Sequence, residues 1–582
     1  MFKNKSLLDI YWNIKDFDER LVLSYSQKKQ INPLLAKLLL SREITEDYFE
    51  NFINPNLTTS LPNPFLLSDM DKSIERVIIA IQKNEKIGII ADYDVDGSTS
   101  ASILYKFLYK YFKKIVLKIP NRLLDGYGPN IKIMDQMLDE EVSLLFTLDC
   151  GTSANNVIDK DKYNKIDVIV IDHHLSDSKL PKVFSIINPN KIEEINDFNE
   201  MAAVGVTFLF LMGLRKKLRE RDFFNKTKPE PNLYSFLDLV ALGTVCDVVK
   251  LTTYNRLFVK LGLDLIKKRK NKGISKIIDN SNIQYSPTSI DLSYIIGPQL
   301  NAASRIDDSS LPSKLLISND NDQIEKISNK LYLLNEKRKL IEKDIFNQAF
   351  LQAEKQINQK YLLVYGKEWH NGVLGIIASK LNNIFFKPTI VISFHGNTGT
   401  GSARSINNID LGQIILLAKN INILEGGGGH KMAAGLKIKY EKINDFKKYL
   451  DEKFELFSEN LFYKLEFFDS ILSVNEINND LLEILEKIEP YGSGNPEPNF
   501  IIKDISIDHV KVIKNKHLLI FFKNDFSTNF RAICFNCIDT ILGDHLLNFK
   551  NKNFNFSCNI QKDHFRESLQ PKIIIKDAML IN

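Results

Sequence analysis

Ile171-Asp172-His173-His174, entered from the run Asp167-Val168-Ile169-Val170, is the stretch whose reading decides the fold. Two of only nine histidines stand side by side there, behind an aspartate. The run before them is apolar at successive positions, the pattern of a strand buried on both faces of a parallel sheet. A second such run, Ile87-Gly88-Ile89-Ile90, closes in Ala91-Asp92-Tyr93-Asp94-Val95-Asp96-Gly97. Open α/β sheets carry their chemistry at the carboxyl ends of parallel strands. Carboxylates and imidazoles converging on such an edge point to divalent metal ions.

Working outward, further strands are expected at Ile115–Ile119, Leu144–Leu148 and Ser185–Ile187, alternating with helices such as Ser98–Phe112. This rhythm predicts a parallel sheet covered on both sides. Residues 322–357 contain neither Pro nor Gly, and Ile324, Ile327, Leu331, Leu334, Ile341 and Ile345 recur at three- and four-residue steps. That predicts one helix of roughly 50 Å, placed as a connector. Beyond it an α/β pattern returns, and from about residue 465 short strands separated by turns predict a small β-barrel. The expected organisation is an α/β multidomain chain. An N-terminal helical segment (1–70) is followed by a parallel-sheet catalytic domain (71–315), a long connector helix (316–358), a smaller α/β domain (359–462) and a C-terminal β-barrel (463–582).

The chain has 582 residues, too many for one core, with ordinary apolar (44%) and charged (26%) content and a net charge of +5. A local basic groove for nucleic acid is compatible with that total. Five scattered cysteines, among them the lone Cys534-x-x-Cys537, suggest small core residues and a reducing compartment. Met1–Ile14 lacks an unbroken apolar core, so no signal peptide is expected, and Val204–Leu214 is too short for a bilayer. A cytoplasmic protein is expected.

Asp92, Asp94 and Asp96 alternate, and on an extended segment all three would aim the same way. Asp149 ends the run Leu144–Leu148, and Asp247 follows the apolar run ending Gly243-Thr244-Val245-Cys246. Any one of these aspartates alone reads as a helix cap or an Asx turn. Four segments that each close an apolar element with a carboxylate or imidazole form a less accidental set. Oxygen-rich sites with one or two imidazoles suit Mn²⁺ or Mg²⁺, and a pair of such ions serves phosphodiester or phosphoanhydride hydrolysis.

In their order, D-Y-D-V-D-G, T-L-D-C-G, I-D-H-H and G-T-V-C-D-V-V resemble the four motifs of the DHH phosphoesterase superfamily. From about residue 40 to the C-terminus the chain resembles those members that digest single-stranded DNA from the 5′ end. It implies Asp94, Asp96, Asp149, His173 and Asp247 as metal ligands, with Asp149 bridging two ions. It implies His174 facing the scissile phosphate as a cation or proton donor, and Asp92 as a further catalytic-site residue. Ile90 stands where some superfamily members carry a histidine.

Gly399-Thr400-Gly401-Ser402-Ala403-Arg404-Ser405 and Gly426–His430 resemble the two motifs of the DHH-associated domain. Independently of that likeness, glycines let backbone approach a phosphate as an anion nest, and Arg404 can grip one with two hydrogen bonds. A plain glycine turn between strands is the competing reading. The resemblance also implies Arg122, Asn301, Arg305, Ser402, Arg404, Gly428, Gly429 and His430 as substrate-facing, with Arg122, Arg305, Ser402 and Arg404 around a 5′-terminal phosphate. Gln299 and Ser304 depart from the family pattern. The C-terminal region resembles the family's OB-fold. Phe521, Phe522, Phe526 and Phe530 with Lys511, Lys514, Lys516 and Arg531 supply the residue types for holding a single strand, though barrel core is the commoner use of such phenylalanines.

The expected function is a 5′→3′ exonuclease specific for single-stranded DNA, acting in repair and recombination. It would be monomeric, assisted by a helicase and a single-strand-binding protein. A phosphoesterase for short oligonucleotides would leave residues 465–582 without a task. A non-catalytic binder would not need an intact ligand set.

Overall fold

In the computed structural model, residues 5–56, 60–176, 178–523, 530–563 and 570–581 are described. Two compact units divide the chain: residues 56–457 with 492–494, and residues 1–55 with 458–491 and 495–582.

The larger unit begins with a five-stranded, wholly parallel sheet. Its spatial order is Ile115–Lys118, Ile87–Ala91, Leu144–Leu148, Asp167–Ile171, Ser185–Ile187. Numbered along the chain this is 2-1-3-4-5, so the crossover direction reverses between the first and third strands. That reversal opens a crevice at their carboxyl ends, where ligands bind in doubly wound sheets. Alternate strand residues feed two cores. Ile89, Phe146 and Ile171 pack with helix Val95–Tyr111, while Ile90, Leu145 and Val170 pack with Met134 and Met137 of helix Ile131–Asp139.

Helix Asn321–Glu354 runs 34 residues, capped by Asp320, whose side chain accepts from the Asp322 and Gln323 N–H groups. Ile324, Ile327 and Leu331 enter the core of the parallel-sheet half, and Ile345, Ala349 and Ala353 enter the next core. This helix joins two cores by being part of both. The second half is a five-stranded sheet ordered Gly426–His430, Ala433–Lys439, Thr398–Arg404, Thr389–His395, Leu362–Lys367, with only the last pair parallel.

In the other unit, Phe500–Ile513 pairs with His517–Phe522, which pairs with Arg531–Cys534, then Pro571–Ile581, then Asn553–Lys562, which returns to Phe500–Ile513. The ring of pairings closes into a barrel. Register shifts within Phe500–Ile513 let one bent strand serve both neighbours. The segment expected to be helical at 1–70 also contributes a strand, Tyr11–Ile14, parallel to Leu465–Phe468. Among the described residues no helix is long and apolar enough to cross a membrane. The cysteines are unpaired, and Cys150, Cys534, Cys537 and Cys558 are buried.

Candidate metal centre and phosphate pocket

Strand Ile87–Ala91 ends one residue before Asp92, and helix Val95–Tyr111 begins three residues later. Asp94 is the N-cap, accepting from the Gly97 N–H at 3.1 Å. Asp92, Asp94 and Asp96 therefore do not lie on an extended segment, as their alternation suggests. The N-cap competes successfully for that stretch because Asp94 satisfies an otherwise orphan N–H. A Cβ at Gly97 would sit 2.3 Å from the Asp92 carbonyl, so only glycine permits so tight an entry. Asp96 lies in the first helical turn, and its two oxygens accept from the Ala203 (2.7 Å) and Val204 (2.8 Å) N–H groups at the start of helix Ala203–Glu220.

Asp149 leaves its strand with a φ of 59° and Asp247 caps the C-terminus of helix Leu237–Cys246. The next residue, Val248, has a φ of 62°. A β-branched side chain in that region costs about 1–3 kcal/mol. His173 Nε2 faces three carboxylates: Asp149 Oδ1 at 3.3 Å, Asp247 Oδ2 at 3.5 Å and Asp96 Oδ2 at 3.9 Å. Three overlapping sets, Asp92–Asp94–Asp149, Asp149–His173–His174 and Asp96–His173–Asp247, each bring one ligand atom per residue within 4.8 Å of the others. Asp149 belongs to two sets, as a bridging carboxylate would.

The donor set fits divalent cations on two observations. Asp92 Oδ1, Asp149 Oδ1 and His173 Nε2 are buried with no hydrogen-bond partner among the described residues, a costly arrangement unless an ion completes it. Burial first, and then the charges of their neighbours, push the carboxyls of Asp92, Asp96, Asp149 and Asp247 above the usual range. Burial, reinforced by His174, brings His173 down to about 4, which leaves its ring neutral and able to ligate.

Asp172, the aspartate before the pair, is buried and is an orienting residue that the sequence reading gave no role. Its Oδ1 accepts from the His173 N–H (2.8 Å), the His174 N–H (3.2 Å) and the His174 ring at Nδ1 (2.8 Å), and its Oδ2 accepts from the Thr152 N–H (3.1 Å). Burial alone would depress the His174 imidazolium, but the hydrogen bond and charge of Asp172 outweigh it and raise it. Tyr127, inside the Gly126-Tyr127-Gly128 turn, was likewise missed. Its hydroxyl donates to the Asp149 carbonyl at 2.9 Å and lies 3.2 Å from His174 Nδ1.

Arg122 lies close enough to Arg305 and to Arg404 to repel each of them. Burial, and then Arg122 and Arg338, bring Arg305 down to about 10, and burial with Arg122 also lowers Arg404. The Arg122 guanidinium lies 4.9 Å over the Tyr93 ring, and Arg305 Nη1 donates to the Gly372 carbonyl at 2.9 Å. Crowded guanidiniums are stabilised by an anion between them. A Cβ at Gly375, in the first turn of helix Leu374–Phe385, would lie 3.1 Å from Arg404 Nη2 and 3.2 Å from Ser402 Oγ. Helix-start N–H groups thus border the same pocket. Asn301 Oδ1 is buried without a partner among the described residues.

The glycine-rich segments are neither nests nor turns. Thr398–Arg404 and Gly426–His430 are strands, separated by Ala433–Lys439. The register aligns Arg404, Ala433 and His430 in one cross-strand row and Ser402, Gly435 and Gly428 in another. These rows share a face, a floor of Gly and Ala beside Ser402 and Arg404 with the exposed His430 at its rim. A Cβ at Gly428 would meet nothing within 4 Å, whereas Gly429, on the opposite face, has a φ of 150° and packs against Ala433 and Ala434. Glycine here leaves the backbone of an edge strand bare of side chains.

In the barrel unit, Phe522 is core and Phe530 packs against it. Phe521 faces outward, stacked on His509 with centroids 4.0 Å apart, under Lys511 and paired across strands with Arg531. Lys572 lies 5.1 Å from the exposed Phe535 ring on the same outer surface. Phe526 lies outside the described residues.

Family models described as the DHH family N-terminal domain, the DHHA1 domain and the RecJ OB domain match residues 86–244, 358–456 and 468–577. A Haemophilus influenzae protein named single-stranded-DNA-specific exonuclease RecJ is 32% identical over 503 residues, 84% of this chain and 86% of that protein. A Bacillus subtilis protein of the same name is 30% identical over 89% of this chain, which spans only 64% of that relative's length. Among solved structures, RecJ in complex with Mn²⁺ from Thermus thermophilus shares the fold, with a TM-score of 0.82 at 22% identity over 98% of this chain and 79% of that one. An exonuclease RecJ bound to manganese matches with a TM-score of 0.58 at 26% identity, over 69% of this chain and 97% of that one.

Proposed function

This chain belongs to the RecJ family, and from that premise we propose that it hydrolyses single-stranded DNA from the 5′ end, releasing mononucleotides in DNA repair and recombination. Asp94, Asp96, Asp149, His173 and Asp247, with Asp92 beside them, would hold two divalent cations, Mn²⁺ or Mg²⁺. Such cations, when bound, polarise a phosphodiester, supply an activated water and neutralise charge on the leaving oxygen. His174, whose protonated form the Asp172 carboxylate favours and whose ring Tyr127 braces, donates a hydrogen bond or a proton toward the leaving oxygen. Arg122, Arg305, Ser402 and Arg404 grip the 5′-terminal phosphate, while Asn301, Gly428, Gly429 and His430 contact the strand behind it. An anion pocket that accepts a terminus sets the polarity of digestion. Outward-facing Phe521, with Lys511 and Arg531, offers a stacking and charge platform for the single strand.

The observation that carries this reading is the convergence of His173 Nε2 on three carboxylates, with buried ligand atoms left unpaired. In the cell the enzyme works in the cytoplasm as a monomer, on strands exposed by a helicase and handed over by a single-strand-binding protein. The test is digestion of a long single strand labelled at either end, with Mn²⁺ supplied. A 5′ label should appear at once as mononucleotide while a 3′ label stays in long strands. Digestion of short oligomers only, or binding without cleavage, overturns the proposal.

A further inference from the structure

Asn255 is a buried polar side chain with no part in the reaction as derived above. It lies in the first turn of helix Thr253–Lys267. Its amide nitrogen donates to two carbonyls, Glu200 at 2.6 Å and Lys250 at 2.9 Å. Lys250 belongs to the loop that carries the candidate ligand Asp247, and Glu200 to a segment that supports two others. From Glu200 the chain passes Met201, whose backbone bonds His173, to the Ala203 and Val204 N–H groups that hold Asp96. Lys250 follows Asp247 by three residues.

The Asp247 loop needs holding. Val248 occupies the position after a helix cap where glycine is the usual left-handed residue. Val248 is 67% exposed, so packing within the described residues does not compensate its φ of 62°. Strain of this kind persists only where the surroundings over-determine the conformation. Other ties exist. Lys250 Nζ pairs with Glu200 Oε1 at 2.5 Å and Thr252 Oγ1 donates to Glu200 Oε2 at 2.7 Å, but both Lys250 and Glu200 side chains are well exposed, where ion pairs contribute little. The Leu251 N–H donates to the Ser493 carbonyl at 2.7 Å, anchoring the far end of the loop. Asn255 is a buried tie between the loop that carries Asp247 and the segment that supports Asp96 and His173.

We propose that Asn255 is a positioning residue of the metal centre. Its amide stitches the Asp247 loop to the segment that caps Asp96 and touches His173. It thereby sets the separation of Asp96, His173 and Asp247, the ligands of one cation position. The inference rests on the metal-centre reading, and the experiment separates the two. The chain is titrated with Mn²⁺ alone and followed by electron paramagnetic resonance. If the unaltered protein fails to bind two Mn²⁺ per chain, the metal-centre reading itself fails. Given two, Asn255→Asp keeps the shape but turns an acceptor toward both carbonyls. One Mn²⁺ should then bind as before and the other about 10–100-fold more weakly, with the signal of a coupled pair giving way to that of an isolated ion. Adding Val248→Gly should restore part of the lost affinity, because it removes the strain that Asn255 opposes. The proposal is overturned if folded Asn255→Asp binds both ions as tightly as the unaltered protein, or weakens both equally. It is also overturned if Val248→Gly recovers nothing, or if Asn255→Asp and Asn255→Ala both fail to fold.

Discussion

Asp149→Asn should make the metal-free protein more stable while removing its activity. Asp149 is buried, and its ligand oxygen lies within 4.8 Å of those of Asp92 and Asp94. Two full charges at that spacing repel by about 3.5 kcal/mol at an effective dielectric of about 20. The raised carboxyl pKa values mean that protons already relieve much of this. The amide should therefore recover only about 1–2 kcal/mol. With Mn²⁺ a hundredfold above its Kd, each ion bound to the unaltered protein adds about 2.7 kcal/mol, and the variant, lacking the shared ligand, forfeits most of that. The order of stability should thus reverse between chelator and Mn²⁺. A carboxyl whose folded pKa is raised stabilises below its unfolded value and loses that contribution as pH rises through the folded value. In chelator, the variant's advantage should therefore widen as pH rises above the ordinary carboxylate range. Urea melts followed by circular dichroism read the stabilities, and labelled strands read cleavage and binding. A variant less stable than the parent in chelator, or one still stabilised by Mn²⁺ as fully as the parent, would refute the reasoning.

Three further outcomes follow from other parts of the site. Asp172→Asn should lower kcat by about 10²–10⁴, the range for a lost general acid, with a much smaller change in KM for DNA; an unchanged kcat in steady-state assays would remove Asp172 from the mechanism. Arg404→Ala should cut the preference for a 5′-phosphate over a 5′-hydroxyl end by about 10–150-fold, the equivalent of one charge-assisted hydrogen-bond set of about 1.5–3 kcal/mol; equal ratios in both proteins would take Arg404 out of the phosphate pocket. Phe521→Ala should weaken single-strand binding by about 1–3 kcal/mol in a fluorescence titration without loss of stability, whereas Phe522→Ala, its buried neighbour, should show up in the melting curve; the reverse pattern would invert the assignment of barrel faces.

The parallel sheet was legible because its signal is local. Runs such as Leu144–Leu148 and Asp167–Ile171 are apolar throughout, and the βαβ rhythm between them leaves few other folds. Strand order was not legible. Only the pairings of Ile87–Ala91 with both Ile115–Lys118 and Leu144–Leu148 reveal the reversal that brings Asp92–Asp96 beside Asp149. Helix Asn321–Glu354 was clear from its periodicity, but its membership of two cores was not, because periodicity reports a buried face without saying what buries it.

The misread segments share one cause. Alternating aspartates at 92–96 suggest extended backbone, yet a side-chain cap three residues from a glycine outweighs alternation once Gly97 permits the approach. Gly426–Gly429 suggests a loop, because glycine disfavours strands by its own propensity. Here pairing with Ala433–Lys439 supplies hydrogen bonds that propensity does not count. Asp172 and Asn255 show the same limit from the other side. Each is an ordinary polar residue by type, and each acquires its role from groups that the fold alone brings within reach: a histidine ring two residues on for Asp172, two carbonyls fifty-five and five residues away for Asn255. Ligand types announce themselves in sequence because metal chemistry admits few of them, whereas the residues that hold ligands in place are drawn from every polar type. They are found by asking which buried donors and acceptors the fold commits to fixing a ligand-bearing segment against the segments that support the other ligands.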